Sequence, residues 1–254
     1  MPNSKAILAA PKILLIDIET FPNLSYTWGK YDQNVIEFKE QFCIATFVAK
    51  WLGGKVMAKA LPDYPNYEPH SYDDLHIVMD IWDLLHEADV VVAHNGVQFD
   101  FKMIRGRFLV HGLQPPSPYQ EVDTKILAKR IARFNSNKLD DLAQLFGLGK
   151  KIKTDFALWK GCIEGDPKAW AKMLKYNVHD VRLLEQVYLK LRAYDEGHPN
   201  YAVFVDRPVC PKCGGRIAYS GVRRLKTRVY RRFYCTKCLA WGRDTKSLGG
   251  VNVR

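Results

Sequence analysis

The segment KILLIDIET restricts the fold more than any other part of this chain, because two carboxylates, Asp17 and Glu19, close an apolar run. Ile13, Leu14, Leu15 and Ile16 read as a buried strand. Side chains two apart on a strand share a face, so both acids point the same way. Acids abutting a buried run are costly unless a partner meets them. Two later segments supply groups that their own patterns aim at a common point. Asp89 to Ala93 (DVVVA) is a short buried strand that delivers HNGVQFD, ending in Asp100. Tyr176 and Asp180, in YNVHDV, are four apart in a helical pattern and so are neighbours on one face. Carboxylates gathered this way repel one another unless cations lie between them. For hard oxygen ligands magnesium or manganese is the natural occupant. Taken singly, each residue has a plainer reading: strand-end acids for Asp17 and Glu19, a helix cap for Asp100, a solvated helix acid for Asp180, a core aromatic for Tyr176.

The rest of the first 195 residues reads as alternating strands and helices. NVIEF and FCIATFVAKWL are further strands of a hairpin or meander, and KVMAKAL suits another. Residues 72–87 carry Leu75, Val78, Met79, Trp82 and Leu85 at helical spacing, with Ser71 and Asp74 resembling a capping box. A helix over 101–110 stops at Gly112; EVDTKILAKRIARF is a strand end followed by a helix; Leu139 to Phe146 is a helix with Gly147 behind it. Residues 167–191 form one long amphipathic helix or two short ones. Periodicity alone gives an α/β class. His94 and His179 read as packing or hydrogen-bonding residues, Asp123, Asp140 and Asp141 as loop and cap residues, and Cys43 and Cys162 as free thiols.

Charge is distributed unevenly. Residues 207–254 hold 13 Lys/Arg against one acid, Asp244, so of the chain's 38 Lys/Arg and 27 Asp/Glu the first 206 residues keep 25 and 26. All of the +11 net charge therefore lies in the last fifth of the chain. A basic segment of that kind suits a polyanion, most often nucleic acid. No apolar stretch approaches the roughly 18 residues a membrane span needs, and the N-terminus lacks the pattern of a secretory peptide. These features predict a chain that works in a reducing intracellular setting, without a membrane partner.

The basic segment also contains CPKC (Cys210, Cys213) and CTKC (Cys235, Cys238), separated by 21 residues. Paired C-x-x-C knuckles at this separation predict a zinc ribbon over 207–246, in which four thiolates close the tetrahedron around one structural Zn²⁺. Between them runs a hairpin carrying Arg223, Arg224, Lys226, Arg228, Arg231 and Arg232, interleaved with Tyr219, Tyr230, Phe233 and Tyr234. Cations meet phosphates and aromatics stack on bases, a combination suited to single strands or frayed ends.

At its acidic motifs the chain resembles the DEDD superfamily of 3′-5′ exonucleases, in the tyrosine branch. Asp17 and Glu19 match the D-x-E motif, Asn95, Phe99 and Asp100 the second, and Tyr176 and Asp180 the Y-x-x-x-D motif. Lys175 stands where the histidine branch would need its His. The resemblance implies an RNase H-like domain over residues 10–195, with a mixed central sheet flanked by helices. It also implies two Mg²⁺ or Mn²⁺ ions held by Asp17, Glu19, Asp100 and Asp180. Asp17 would bridge both, Glu19 and Asp180 would hold the ion that generates the nucleophile, and Tyr176 would orient the attacking water. Asn95 and Phe99 would support the substrate strand. The implied activity is removal of mononucleotides from an accessible 3′ end, with DNA preferred and replication or recombination proteins as possible partners. An RNase D-like 3′ exoribonuclease, a structure-selective endonuclease and a non-catalytic zinc-ribbon nucleic-acid-binding protein are the alternatives.

Overall fold

The structure is a computed structural model that describes residues 10–31, 34–65, 67–205 and 207–252. It divides into two compact units, one spanning Lys12–Tyr188 and the other built of residues from Leu189 onward. In the first unit the strands are β1 (Ile13–Thr20), β2 (Leu24–Tyr26), β3 (Glu37–Glu40), β4 (Ile44–Trp51), β5 (Val56–Ala60), β6 (Val90–Ala93) and β7 (Gln120–Asp123). The helices are α1 (Leu75–Glu87), α2 (Asp100–Val110), α3 (Thr124–Ile131), α4 (Leu139–Leu145), α5 (Phe156–Ile163) and α6 (Pro167–Leu191), the last crossing into the second unit.

Five strands form one sheet in the order β5-β4-β1-β6-β7. β1 runs antiparallel to β4 and parallel to β6, and β6 runs parallel to β7, so the sheet is mixed. Ile13, Leu14, Leu15, Ile16 and Ile18 of β1 are all buried, because helices cover both faces of a central strand. Their burial is worth on the order of 10 kcal/mol. That offsets the cost of partly desolvating Asp17 and Glu19, which are half-buried on the same strand. The register then places the acids: β1 pairs with β6 only as far as Leu15↔Val92. Asp17 and Glu19 therefore extend past the end of β6, where the chain turns out towards Asn95 and Asp100. The carboxyl ends of parallel strands, where strand direction switches, are the usual location of a site in such sheets.

Several local expectations change. β3 begins at Glu37 and pairs with β2 as a separate two-stranded sheet, so the NVIEF segment does not join the central one. The expected capping box at Ser71 and Asp74 does not form: α1 begins at Leu75, and no side-chain bond caps it from Asp74. The Asp74 carboxylate is buried and accepts from Ile44 N, from Arg107 Nε and Nη2 at 2.8 and 2.7 Å, and meets His111 Nε2 at 2.6 Å. A buried acid must be paired, and a bidentate guanidinium outcompetes a cap. Residues 167–191 form a single helix. α5 was not expected; only Leu158 and Cys162 of its eight residues are buried, too few to leave a periodic signature.

In the second unit β8 (Ile217–Arg224) and β9 (Arg228–Cys235) form the hairpin, with β10 (Trp241–Arg243) and β11 (Gly249–Gly250) along the other edge of β9. Among the described residues no helix is long and apolar enough to cross a membrane.

Candidate active site

Four acids meet where β1 ends. Asp100 is the first residue of α2, buried, and its Oδ1 accepts from the backbone N–H of Ile18, between Asp17 and Glu19. Asp180, on α6, is likewise buried. Each of the four carboxyls is pushed above the usual carboxylate range, first by burial in every case. Asp17 is raised further by Asp100, Glu19 and Asp180. Glu19 reaches about 8, with Asp180 and Asp100 adding to burial. Asp100 reaches about 7, although backbone N–H groups oppose the rise. Asp180 is raised less firmly, because Lys151 counters its burial. The structure thus brings together the acids from three distant segments. Tyr176 sits with them; burial and the charges of Glu19, Asp180 and Asp17 hold its phenol protonated, a donor and not a base.

Two residues at this site had no signal in the sequence. Lys151 Nζ lies 2.5 Å from Asp180 Oδ2 and donates to Tyr176 Oη at 3.4 Å. It comes from the loop after α4, where GLGKKIK is indistinguishable from a solvated lysine run. Asn177, fully buried, donates from Nδ2 to Asp17 Oδ2 at 2.5 Å while its Oδ1 accepts from Thr46 Oγ1 at 3.1 Å. Asn177 fixes which way the Asp17 carboxylate faces. Asn177→Ala is expected to lower turnover 10–100-fold, the usual loss for a residue that orients a metal-binding group. Steady-state kinetics of nucleic-acid hydrolysis check it.

The donor set suits a divalent cation. Only oxygens are offered, and four acids face one lysine, Lys151. The carboxylates stand wider apart than the thiols described below: among the described residues no three of the acids bring an oxygen each within 4.8 Å of one another.

The neighbouring residues have plainer tasks. Asn95 holds a left-handed backbone at φ 69°, and its Oδ1 accepts from Lys125 Nζ at 3.1 Å. Phe99, 36% exposed, precedes α2. A Cβ on Gly96 would come within 2.6 Å of Ala93 Cβ and 2.9 Å of the Phe101 ring, so this turn requires glycine to bring Asp100 in. Asp123 caps α3, accepting from Lys125 N and Ile126 N, and also accepts from Asn95 N and Val97 N. His94 Nδ1 meets Thr124 Oγ1 at 2.8 Å and burial lowers the ring's pKa to about 4; His179 Nε2 meets Lys150 O at 2.8 Å. Asp140 accepts from Lys151 N and Asp141 binds Ser136 Oγ. Cys43 and Cys162 are buried free thiols.

In the second unit Cys210, Cys213, Cys235 and Cys238 place their sulfurs within 4.8 Å of one another. Cys213 and Cys235 are 3.5 Å apart, Cys210 and Cys238 3.7 Å. Those separations suit the edges of a tetrahedron with metal–sulfur bonds of about 2.3 Å. The two knuckles repeat one turn. Cys210 N donates to Gly215 O and Cys235 N to Ala240 O, and the residue four after each first cysteine is left-handed: Gly214 at φ 68° and Leu239 at φ 62°. A left-handed leucine costs roughly 1–2 kcal/mol, and glycine returns about half of that as chain entropy. Leu239→Gly is therefore expected to stabilise this unit by up to about 1 kcal/mol, read by denaturant unfolding.

All six cations of the hairpin are exposed. Arg223, Arg224 and Lys226 gather at the β8–β9 turn. Arg228 Nη1 donates to Ser247 Oγ. Arg231 lies 4.3 Å from the Tyr219 ring and binds Asp244; Arg232 lies 4.5 Å from the Trp241 ring.

A family model described as RNase H superfamily matches residues 57–192, more than half of the chain. The matched stretch holds Asp100, Tyr176 and Asp180, whereas Asp17 and Glu19 lie before it. Among solved structures, the family B DNA polymerase from the hyperthermophilic archaeon Pyrobaculum calidifontis matches 78% of this chain with a TM-score of 0.55 at 16% identity. This chain spans 28% of that polymerase. At such an identity the likeness is one of fold. No curated protein matches the sequence.

Proposed function

The chain belongs to the RNase H superfamily, and from that premise we propose that it is a metal-dependent 3′-5′ exonuclease, acting by preference on DNA. The observation that carries this reading is the convergence of Asp17, Glu19, Asp100 and Asp180, the other three each raising the charge cost of Asp17. Acids crowded in this way must take up either protons or cations at neutral pH, and the likeness in fold to a DNA polymerase supports DNA as the substrate. Asp17, Glu19, Asp100 and Asp180 would hold Mg²⁺ or Mn²⁺. Divalent ions there supply an acidified water and stabilise charge on the leaving 3′ oxygen.

The chain's own residues do the rest. Asn177 keeps Asp17 facing the site. Tyr176 stays protonated and donates a hydrogen bond that orients the attacking water. Lys151 offsets part of the acidic charge and adds a donor beside Asp180. The four thiols would hold one structural Zn²⁺, closed to chemistry because no ligand position is left. The ribbon over 207–246 would raise the local concentration of strands for the domain over 10–195. Arg223, Arg224, Lys226, Arg228, Arg231 and Arg232 would grip the phosphates there, with Asn95 and Phe99 supporting the strand at the acidic site.

Oligonucleotides labelled at the 3′ or the 5′ end, as DNA and as RNA, test the proposal with Mg²⁺ or Mn²⁺ added. The expected result is release of labelled mononucleotide from 3′-labelled DNA at the earliest times. Release from the 5′ end first, or no hydrolysis with either ion, overturns it.

A further inference from the structure

A cationic groove lies between the C-terminal end of α3 and the loop before α4. Earlier on α3, the Lys125 ammonium donates to Asn95 Oδ1 at 3.1 Å, beside the segment that leads to Asp100. Lys129 follows one helical turn later on the same face, and Arg133 lies just beyond the helix end. Lys129, Arg133, Phe134 and Asn137 line a groove of about 350 Å³. No acid occurs between Thr124 and Lys138 in the sequence. Among the described residues neither Lys129 nor Arg133 has an ion-pair partner, and both are exposed. Lys129 also suits the C-terminal end of a helix dipole. That account does not extend to Arg133, outside the helix, or to the tie between Lys125 and Asn95. Phe134 packs edge-on against Phe146 at 5.7 Å, a rigid aromatic wall. Asn137 Oδ1 is buried without a hydrogen-bond partner among the described residues.

We infer that this groove is a second strand-binding site, in which Lys129 and Arg133 grip successive phosphates of the single strand whose end lies at the acidic cluster. The inference rests on the nuclease reading and adds where the body of the strand runs. The uniform charge and the open groove suit a phosphodiester backbone. A ribose or deoxyribose strand offers the same phosphates.

Binding of fluorescein-labelled dT20 and rU20, followed by anisotropy at several salt concentrations without added divalent ion, tests it in the full chain. Each phosphate contact to a single strand contributes about 0.7 to the slope of log affinity on log salt. Lys129→Gln with Arg133→Gln is expected to lower the slope by about 1.4 and weaken binding about tenfold at low salt, for both strands. Lys55→Gln with Lys59→Gln, on the opposite sheet edge, removes the same charge and is expected to leave both quantities as in the wild type. An unchanged slope in the α3 pair, or an equal fall in the control pair, overturns the groove. Circular dichroism verifies that each variant is folded, and the single Arg133→Gln variant, outside any helix, should give half the slope change. Wild-type protein that neither binds nor cuts either strand would instead sink the nuclease reading itself.

Discussion

Asp17→Asn is expected to abolish hydrolysis and, in the same molecule, to stabilise the metal-free fold at alkaline pH. The loss of activity should exceed the 10–100-fold typical of a supporting partner, because Asp17 faces the point where all four acids meet. The gain in stability has a separate cause. Asp17 is raised by burial first and then by Asp100, Glu19 and Asp180, with Lys151 opposing. A carboxyl whose folded pKa is raised contributes stability that is complete below its unfolded value, near 4, and is lost as pH rises through the folded value. Glu19 at about 8 and Asp100 at about 7 set the upper end of that window. Wild-type protein without added divalent ion should therefore melt progressively lower between about pH 4 and pH 8. Asp17→Asn removes one charge from the cluster and flattens the curve, with each kcal/mol regained at pH 8 worth about 2–4 °C. Added Mn²⁺ should raise the wild-type midpoint more at pH 8 than at pH 6, and raise the variant's much less. Parallel melting curves for both proteins at every pH would show that Asp17 carries no such burden.

The parts of this site that were legible in the sequence share one property: their local pattern alone fixed where they point. Asp17 and Glu19 closed a buried run, Asp100 followed a strand and a turn, and Tyr176 and Asp180 shared a helical face. The sheet that gathers them follows from β1, β4 and β6, whose apolar runs are long enough to leave no choice but burial. Lys151 was illegible because a lysine in a glycine-flanked loop has the same local pattern whether it faces water or an acid cluster. Asn177 was illegible for a related reason. Its bond to Asp17 spans 160 positions, and one residue beside Tyr176 on a helix gives no hint of it. Asp74 misled in the opposite direction, since its position matches a cap while its buried partner, Arg107, is 33 residues away. Long-range pairing of polar groups is what local patterns do not encode, and the site is made largely of such pairs.

Removal of metal from the four-cysteine centre is expected to unfold the ribbon while leaving the acidic unit intact. Beyond the four thiols, the buried apolar residues among those described from 207 onward are Val209, Phe233 and Ala240. Three such side chains supply only a few kcal/mol, well short of the entropy of ordering some 40 residues. A structural zinc contributes about 10–16 kcal/mol in modules of this size, enough to reverse that balance. The thiol separations of 3.5 and 3.7 Å are far from the roughly 2 Å of a disulfide, so a reductant should leave the fold unchanged. A zinc-selective chelator should release one zinc per chain, measured by atomic emission, and collapse the amide resonances of β8 and β9. Those of β1 and β6, in a unit with its own apolar core, should stay dispersed. Cys213→Ser should behave as the chelated wild type does, because three thiolates leave the tetrahedron open and Gly215 N without its sulfur acceptor. Dispersed β8 and β9 resonances after complete removal of zinc would mean that the hairpin's own strand pairing holds the ribbon together.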